Sequence, residues 1–487
     1  MRFDNYIDGK WRQGVEYLGN LNPSDLDDRI GDYAQADAEQ TDEAIAAVRN
    51  AFPIWEQVPA QQRFDILDGA GRLILARSEE LGQLLAREQG KTLPEAIEEV
   101  GRAGHIFKFY AGEALRLNGE VLASACPSMN VGITRRPLGA VGLITPWHLS
   151  MAILAWKIAS ALAYGNTVVF KPAKLVPGSG WALVDILVEA GVPRGVVNLV
   201  MGSGRVVGQA LSESPLINAI SFSGSVRTGQ RIAVACLSLR KKVQLETGGR
   251  NSIVVLDDAD LDAAVEACIN GAFYAAGQRC TASSRLIVTA GIHDRFVALM
   301  LKRMAALRIG NAVASDVDIG PVADANQLRK NQDYLELARA EGGEVHGGEV
   351  LKLSTRGFFM RPALVVGPEP PARNNREEVF GPIASILRAE DYTEALAIAN
   401  ESGFGLSAAI FTRSLKLANH FKQNIQAGMV MINAASAGVD YQVPFGSHGQ
   451  PSSREQQGSQ ARDFFTQLKT TFLNVGSVSA AAPVKVC

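Results

Sequence analysis

Cysteine is scarce in this chain. Five occur in 487 residues, Cys126, Cys236, Cys268, Cys280 and Cys487, and none forms a Cys-x-x-Cys pair. An odd, scattered set is neither a disulfide framework nor a zinc-ligand pattern, so no metal site is expected and a reducing, cytoplasmic setting is. An excess of one charge is missing too: 48 Lys and Arg face 50 Asp and Glu, for a net charge of −2. Without a basic block to follow a phosphate backbone, nucleic acid is not an expected partner. No apolar run reaches the roughly 20 residues that cross a bilayer, so no membrane association is expected. The opening MRFDNYIDGKW lacks a charged segment followed by an apolar core, and no secretory signal is expected there.

What is present is a globular profile, 47% apolar and 20% charged, in a chain too long for one core. YIDGKW reads as a hairpin turning at Asp8-Gly9. From Thr41, a candidate N-cap, to about Ala114 the apolar spacing is helical. After Gly139 short β-type runs (AVGLITPW, NTVVFKP, VVNLVMG, AISFSGS) alternate with helical stretches. That alternation predicts a parallel sheet with helices on both faces and ligands at its carboxyl edge. A second βα series starts near NSIVVLDDADL. The late run FFTQLKTTFLNVG reads as a strand that can add to another sheet. The predicted class is α/β.

Local chemistry leaves alternatives open. In SFSGSVRTG a strand ends at Phe222, and Gly224 and Ser225 begin a helix, a geometry that suits phosphate but also describes an ordinary βα turn. GSGRVVG (202–208) has one residue too many for a dinucleotide fingerprint and reads as a turn. Lys171 ends a strand, with Lys174 close behind; either caps a surface or reaches a nucleotide. Glu246 ends the run VQLET and is a surface acid or a general base. Cys280, in FYAAGQRCTASSR, is a buried filler or a nucleophile. A cysteine, a carboxylate and a dinucleotide site together suit covalent redox chemistry.

Seven motifs in order carry a resemblance: ITPWHLS (144–150), VVFKPAK (168–174), SFSGSVRTG (221–229), LETGGR (245–250), GQRCTA (277–282), EEVFGPI (377–383) and VPFGS (443–447). Across nearly its whole length the chain resembles the NAD(P)-dependent aldehyde dehydrogenases. The resemblance implies two Rossmann-type parallel-sheet domains with a small β element for oligomerisation. Residues 1–120 and 141–248 would bind the cofactor, 249–435 would form the catalytic domain, and 121–140 with 436–487 the oligomerisation element and tail of a homodimer or homotetramer. It implies that Cys280 attacks an aldehyde, that the thiohemiacetal gives hydride to NAD or NADP, and that Glu246 activates water to hydrolyse the thioester. Cofactor contacts would fall to Thr145, Pro146, Trp147, Lys171, Gly204, Gly224, Ser225, Gly229, Glu378 and Phe380.

Three departures from the family pattern bear on function. His148 stands where an asparagine donates to the developing oxyanion. It replaces that donor and makes acylation pH-dependent, or it impairs an active scaffold, or the chain is a weakened, ligand-binding relative. Lys174 stands where many relatives hold the ribose hydroxyls with a glutamate; a lysine there would attract a 2′-phosphate and favour NADP. Ser459 falls near a glutamate of some relatives, which puts a proton-relay role there in doubt. The chain resembles the α-ketoglutaric semialdehyde dehydrogenase group. The other substrate reading is an aromatic or apolar aldehyde held by Phe109, Trp156, Tyr274 and Tyr441. CoA acylation is disfavoured by the presence of Glu246.

Overall fold

The computed structural model describes residues 1–126, 129–367, 372–437, 440–448, 457–474 and 476. Cys487 lies outside them. Two seven-stranded sheets organise the chain. The first runs Lys242–Thr247, Ala219–Gly224, Ala140–Ile144, Thr167–Lys171, Val197–Leu199, Asn5–Ile7, Lys10–Arg12. Its first five strands are parallel, and the last two form the antiparallel hairpin read at Asp8-Gly9. Both turn residues have positive φ, 50° and 77°, as the tightest hairpin turn requires. The central strands are buried along their whole length, which is why their middles are continuous apolar runs rather than alternating.

Strand order in this sheet reverses between Ala140–Ile144 and Ala219–Gly224. Connections leave the carboxyl ends of these two strands in opposite directions, and a crevice opens there. Helices Ala38–Trp55, Ala60–Ala76, Ser78–Gln89 and Leu93–Leu115 precede the sheet's parallel strands, as their spacing predicts. The first begins earlier than expected. Asp37, not Thr41, is its N-cap and accepts the Gln40 N–H; Thr41 is buried inside the helix and donates its hydroxyl to the Asp37 carbonyl. Helices Ala60–Ala76, Leu93–Leu115 and Ser150–Ala163 pack a core containing Leu67, Phe107, Tyr110 and Trp156. Each large apolar side chain buried there contributes about 1.5–3 kcal/mol.

The second sheet runs Glu344–Gly347, Ala363–Val366, Ile383–Ala389, Ser283–Thr289, Asn251–Val255, Ser407–Phe411, Met429–Ile432 and is parallel except at its first edge. Separate cores cover its two faces. The strand Thr466–Asn474 adds antiparallel to Met129–Pro137, itself paired with Glu120–Leu122. Cys126 is disulfide-bonded, a pairing that the scattered spacing did not suggest, because proximity across the fold is not encoded in separation along the chain. Cys236 and Cys268 are free and buried in the cores, one on each sheet. Among the described residues no helix is long and apolar enough to cross a membrane, and no cluster of His, Cys, Asp and Glu could hold a metal.

Candidate active site

A cleft of about 390 Å³ lies between the carboxyl edge of the first sheet and the amino edge of the second. The first sheet contributes the turn after Ile144, the segment Phe222–Ser225, and Glu246; the second contributes Cys280, just before the strand Ser283–Thr289. Four of the seven non-glycine residues with positive φ among the described residues flank this region: Leu149, Ala275, Ala276 and Phe380. Such conformations cost energy and persist only where surrounding structure holds them, as at functional sites.

Cys280 is 6% exposed and packs against Leu406 and Phe445. Its loop is fixed from behind: the Asn251 amide donates to the Cys280 carbonyl at 2.8 Å. A Cβ on Gly249 would meet that carbonyl oxygen at 2.1 Å, so only glycine allows the two backbones to approach. Burial pushes the thiol pKa up, and the charges of Glu246 and Glu378 add to this; the backbone N–H groups of Cys280 and Thr281 pull the other way. The thiolate therefore has to be made when it is needed.

Glu246 is 5% exposed, and neither carboxylate oxygen has a hydrogen-bond partner. Burial raises its pKa to about 8, with Lys157 opposing. Lys157 is equally enclosed; burial lowers its pKa to about 7 against the pull of Glu246. Its Nζ donates to Ser221 Oγ at 2.6 Å, and Ser221 in turn donates to Gln244 at 2.6 Å. A carboxylate without hydrogen bonds, whose charge reaches a neighbouring thiol, is poised to exchange protons near neutrality.

His148 lines the same cleft, 8% exposed, edge-on to the Phe380 ring at 4.8 Å. Burial, helped by the Lys91 charge, lowers its pKa to about 3. This corrects the expectation that acylation titrates with this imidazole. His148 is neutral at ordinary pH and can donate only through the N–H of its neutral ring.

Thr145, Pro146, Trp147, Lys171, Lys174, Gly204, Gly224, Ser225, Glu378 and Phe380 also line the cleft. The strand runs two residues past Phe222, to Gly224, and Ser225 caps the helix Val226–Ser238 through the Thr228 N–H. GSGRVVG is not a plain turn: Gly204–Gly208 is a wide helical turn capped by Ser203. A Cβ on Gly204 would enter open space. Gly229 does not face the cleft. Its Cβ would meet Thr247 at 2.6 Å, so it keeps the helix close to the sheet. Lys171 is buried and donates to the Pro172 carbonyl at 2.9 Å, whereas Lys174 is exposed. Glu378 accepts the Gly249 N–H at 2.9 Å, and Lys330 and Gln327 hold the carbonyls of Glu378 and Val379. A dinucleotide fits this lining: a helix start with unpaired N–H groups, a glycine facing open space, and the buried hydroxyls of Thr145 and Ser223, which lack partners.

Of the four aromatic candidates for substrate contact, Trp156 alone lines the cleft, 5.5 Å from the Phe445 ring. Phe109 packs edge-on to Tyr110 and Tyr441, Tyr441 stacks on His105, and Tyr274 packs on the second core. Their neighbours are other aromatics and core residues, not the cleft. Sequence reasoning missed Ile153, Phe445, Gln327 and Lys330 on the wall and Lys157 behind Glu246. Phe445 lies within a quoted motif and Lys157 beside Trp156; the others carry no local signal.

Comparison with known proteins agrees with this arrangement. Residues 11–471 match the aldehyde dehydrogenase family model. The chain is 42% identical over 475 residues to an alpha-ketoglutaric semialdehyde dehydrogenase of Bacillus subtilis, covering 96% of this chain and 97% of that one. It is 36% identical to a 2,5-dioxopentanoate dehydrogenase of Saccharolobus solfataricus, covering 96% and 98%. A betaine aldehyde dehydrogenase of Staphylococcus aureus, crystallised with NAD+, superposes with a TM-score of 0.95 at 30% identity, covering 98% of each chain. This chain belongs to the aldehyde dehydrogenase family.

Proposed function

We propose that this enzyme oxidises a short oxo-acid aldehyde, 2,5-dioxopentanoate (α-ketoglutaric semialdehyde), to the dicarboxylic acid through a covalent adduct on Cys280. One observation carries the reading: a buried thiol and a buried carboxylate without hydrogen bonds share one cleft, and the carboxylate's charge raises the thiol pKa. Glu246 takes the thiol proton as the sulfur attacks the carbonyl carbon. His148 and the Cys280 backbone N–H donate to the oxyanion. A nicotinamide bound in the cleft would supply the acceptor for the hydride that leaves the tetrahedral carbon. Glu246 loses the thiol proton to solvent, then removes a proton from the water that attacks the thioester, and Cys280 leaves as the thiolate. Thr145, Ser223, Gly224 and Ser225 would hold the dinucleotide along the first sheet, and Glu378 and Phe380 would contact it from the second.

The substrate reading draws on the names of the two relatives and on Trp156. Its indole N–H is buried in the wall without a partner, and an oxo or carboxylate oxygen would satisfy it, whereas a purely apolar aldehyde would not. The test compares kcat/KM for 2,5-dioxopentanoate and benzaldehyde with either nicotinamide. Preference for benzaldehyde would favour the aromatic reading. We also assign residues 1–120 and 141–248 to cofactor binding, 249–435 to the catalytic unit, and 121–140 with 436–487 to assembly of a homo-oligomer. The exposed Val121, Leu468 and Phe472 on the small sheet support that assembly.

Two substitutions test individual residues. His148→Ala should slow the first-turnover burst of reduced nicotinamide roughly 100- to 1,000-fold, and His148→Asn should restore it. The burst rate should show no inflection from the imidazole above about pH 5, because the ring is already neutral. Lys174 lines the cleft with Lys171, and we infer that this is the ribose end and that Lys174 admits a 2′-phosphate. Lys174→Glu should lower kcat/KM for NADP roughly 10-fold or more while leaving NAD nearly unaffected, since only the phosphate feels the reversed charge. An equal loss with both cofactors would contradict this assignment.

A further inference from the structure

Two active-site segments are attached to the same short piece of helix. The helix Ser150–Ala163, which begins directly after the His148–Leu149 turn, has no side-chain cap of its own, because Leu149 occupies the N-cap position in the left-handed conformation. Its first N–H groups are capped from elsewhere. Glu99, on the helix Leu93–Leu115, accepts Met151 N–H at 2.9 Å and Ala152 N–H at 3.1 Å through one carboxylate oxygen. The other oxygen pairs with Lys91 in an ion pair that is almost wholly buried, 4% and 2% exposed. One turn earlier on the same helix, Glu95 accepts Arg279 Nη2 at 2.6 Å. Arg279 is the residue before Cys280. The second oxygen of Glu95 closes the helix cap with the N–H and hydroxyl of Thr92.

We propose that the first two turns of the helix Leu93–Leu115 form a strut that sets the separation of His148 and Cys280, with Glu99 and Glu95 as positioning residues at its two attachments. The proposal rests on reading Cys280 as the nucleophile and His148 as the oxyanion donor. The physical argument is one of shared reference. A hydrogen-bond donor contributes to an oxyanion only within a few tenths of an ångström of the correct place, and a displacement of about 1 Å costs on the order of 100-fold in rate. The two segments come from different sheets. Neighbouring residues of one helix, spaced four apart on one face, give both a common rigid support. A buried ion pair is weak evidence for stability alone; here Lys91 holds the carboxylate whose other oxygen caps the His148 helix.

The experiment separates the cap from the ion pair. Lys91→Met with Glu99→Leu removes the cap and strands no charge. Lys91→Met with Glu99→Gln strands no charge and keeps an acceptor for Met151 and Ala152. Both lack Lys91, so any effect of its charge on His148 cancels. We expect the Met/Leu protein to lose roughly 10- to 100-fold in the burst rate constant, with aldehyde KM and nicotinamide affinity within about 2-fold, while the Met/Gln protein stays within about 3-fold of the parent. Equal burst rates in the two proteins would overturn the proposal.

If the Met/Leu protein does not fold, Glu95→Gln decides the matter. Glutamine still serves the Thr92 cap but no longer pairs as an ion with Arg279. The rate of Cys280 alkylation by iodoacetamide should then change by at least about 3-fold, and an unchanged rate would overturn the strut. A parent protein without a burst would count against the catalytic reading instead. Alkylation reports the placement of Cys280 without turnover, so it still tests the strut in that case.

Discussion

Cys280→Ala is expected to abolish aldehyde oxidation, lowering kcat by on the order of a million-fold, as loss of a nucleophile does where catalytic groups act as a unit. The reason is chemical. An aldehyde carbon gives up hydride readily only once a nucleophile has made it tetrahedral, and no other side chain on the cleft wall offers a sulfur. Binding of the dinucleotide, followed by reduced-nicotinamide fluorescence, should persist, because the contacts proposed for it do not include the Cys280 thiol. The controls are Cys236→Ala and Cys268→Ala. Both cysteines are buried in cores away from the cleft. Their substitution should leave the burst intact and cost only the stability expected of a small core truncation, about 1 kcal/mol. A burst that survives in the Cys280 variant and disappears in either control would move the nucleophile elsewhere.

Glu246→Gln is expected to separate the two halves of the reaction. Loss of a general base typically costs about 100- to 10,000-fold. If Glu246 acts mainly on the attacking water, steady-state turnover should fall by that factor and the burst by less, with thioester accumulating on Cys280. The pH dependence follows from burial. Glu246 is protonated below about pH 8, so its base form, and the turnover it limits, should rise as pH rises through that value. The glutamine variant should lose this inflection.

Stability should move in the opposite sense. A carboxyl group whose pKa rises from its ordinary 4.5 to about 8 on folding disfavours the folded state progressively as pH increases across that window. Glu246→Gln should therefore raise Tm at pH 8 relative to the parent and have little effect near pH 4. Thermal melts at the two pH values check the sign. A Tm unchanged at pH 8 would mean that Glu246 is solvated rather than enclosed. A Tm raised at pH 8 would show that the site has traded stability for a base that works near neutrality.

Much of this molecule was legible along the chain. The alternation of short apolar runs with helical spacing predicted both parallel sheets, since strands buried on two faces are mostly apolar. The Asp8-Gly9 hairpin followed from two residues that tolerate positive φ. Ordered motifs identified Cys280, Glu246 and His148, and the structure brings all three to one cleft. The local cues that failed were single-residue ones. Thr41 has a capping side chain, but Asp37 reached the free N–H first. Gly229 stands in a glycine-rich turn, but it faces the sheet and not the cleft. Phe109, Tyr274 and Tyr441 are aromatic, but their rings are taken up by neighbours.

The sequence by itself determined which chemistry is possible: a thiol, a carboxylate and a helix start after a strand are properties of residue type and local order. Tertiary structure alone decided their electrical state. The carboxyl of Glu246 and the imidazole of His148 are shifted in opposite directions by the same cause, removal from water, and desolvation depends on every segment that packs around a group rather than on its neighbours in sequence. The same holds for Glu95 and Glu99, which carry no local signal along the chain. They become supports of the active site only because Arg279 and the helix beginning at Ser150 fold back onto them.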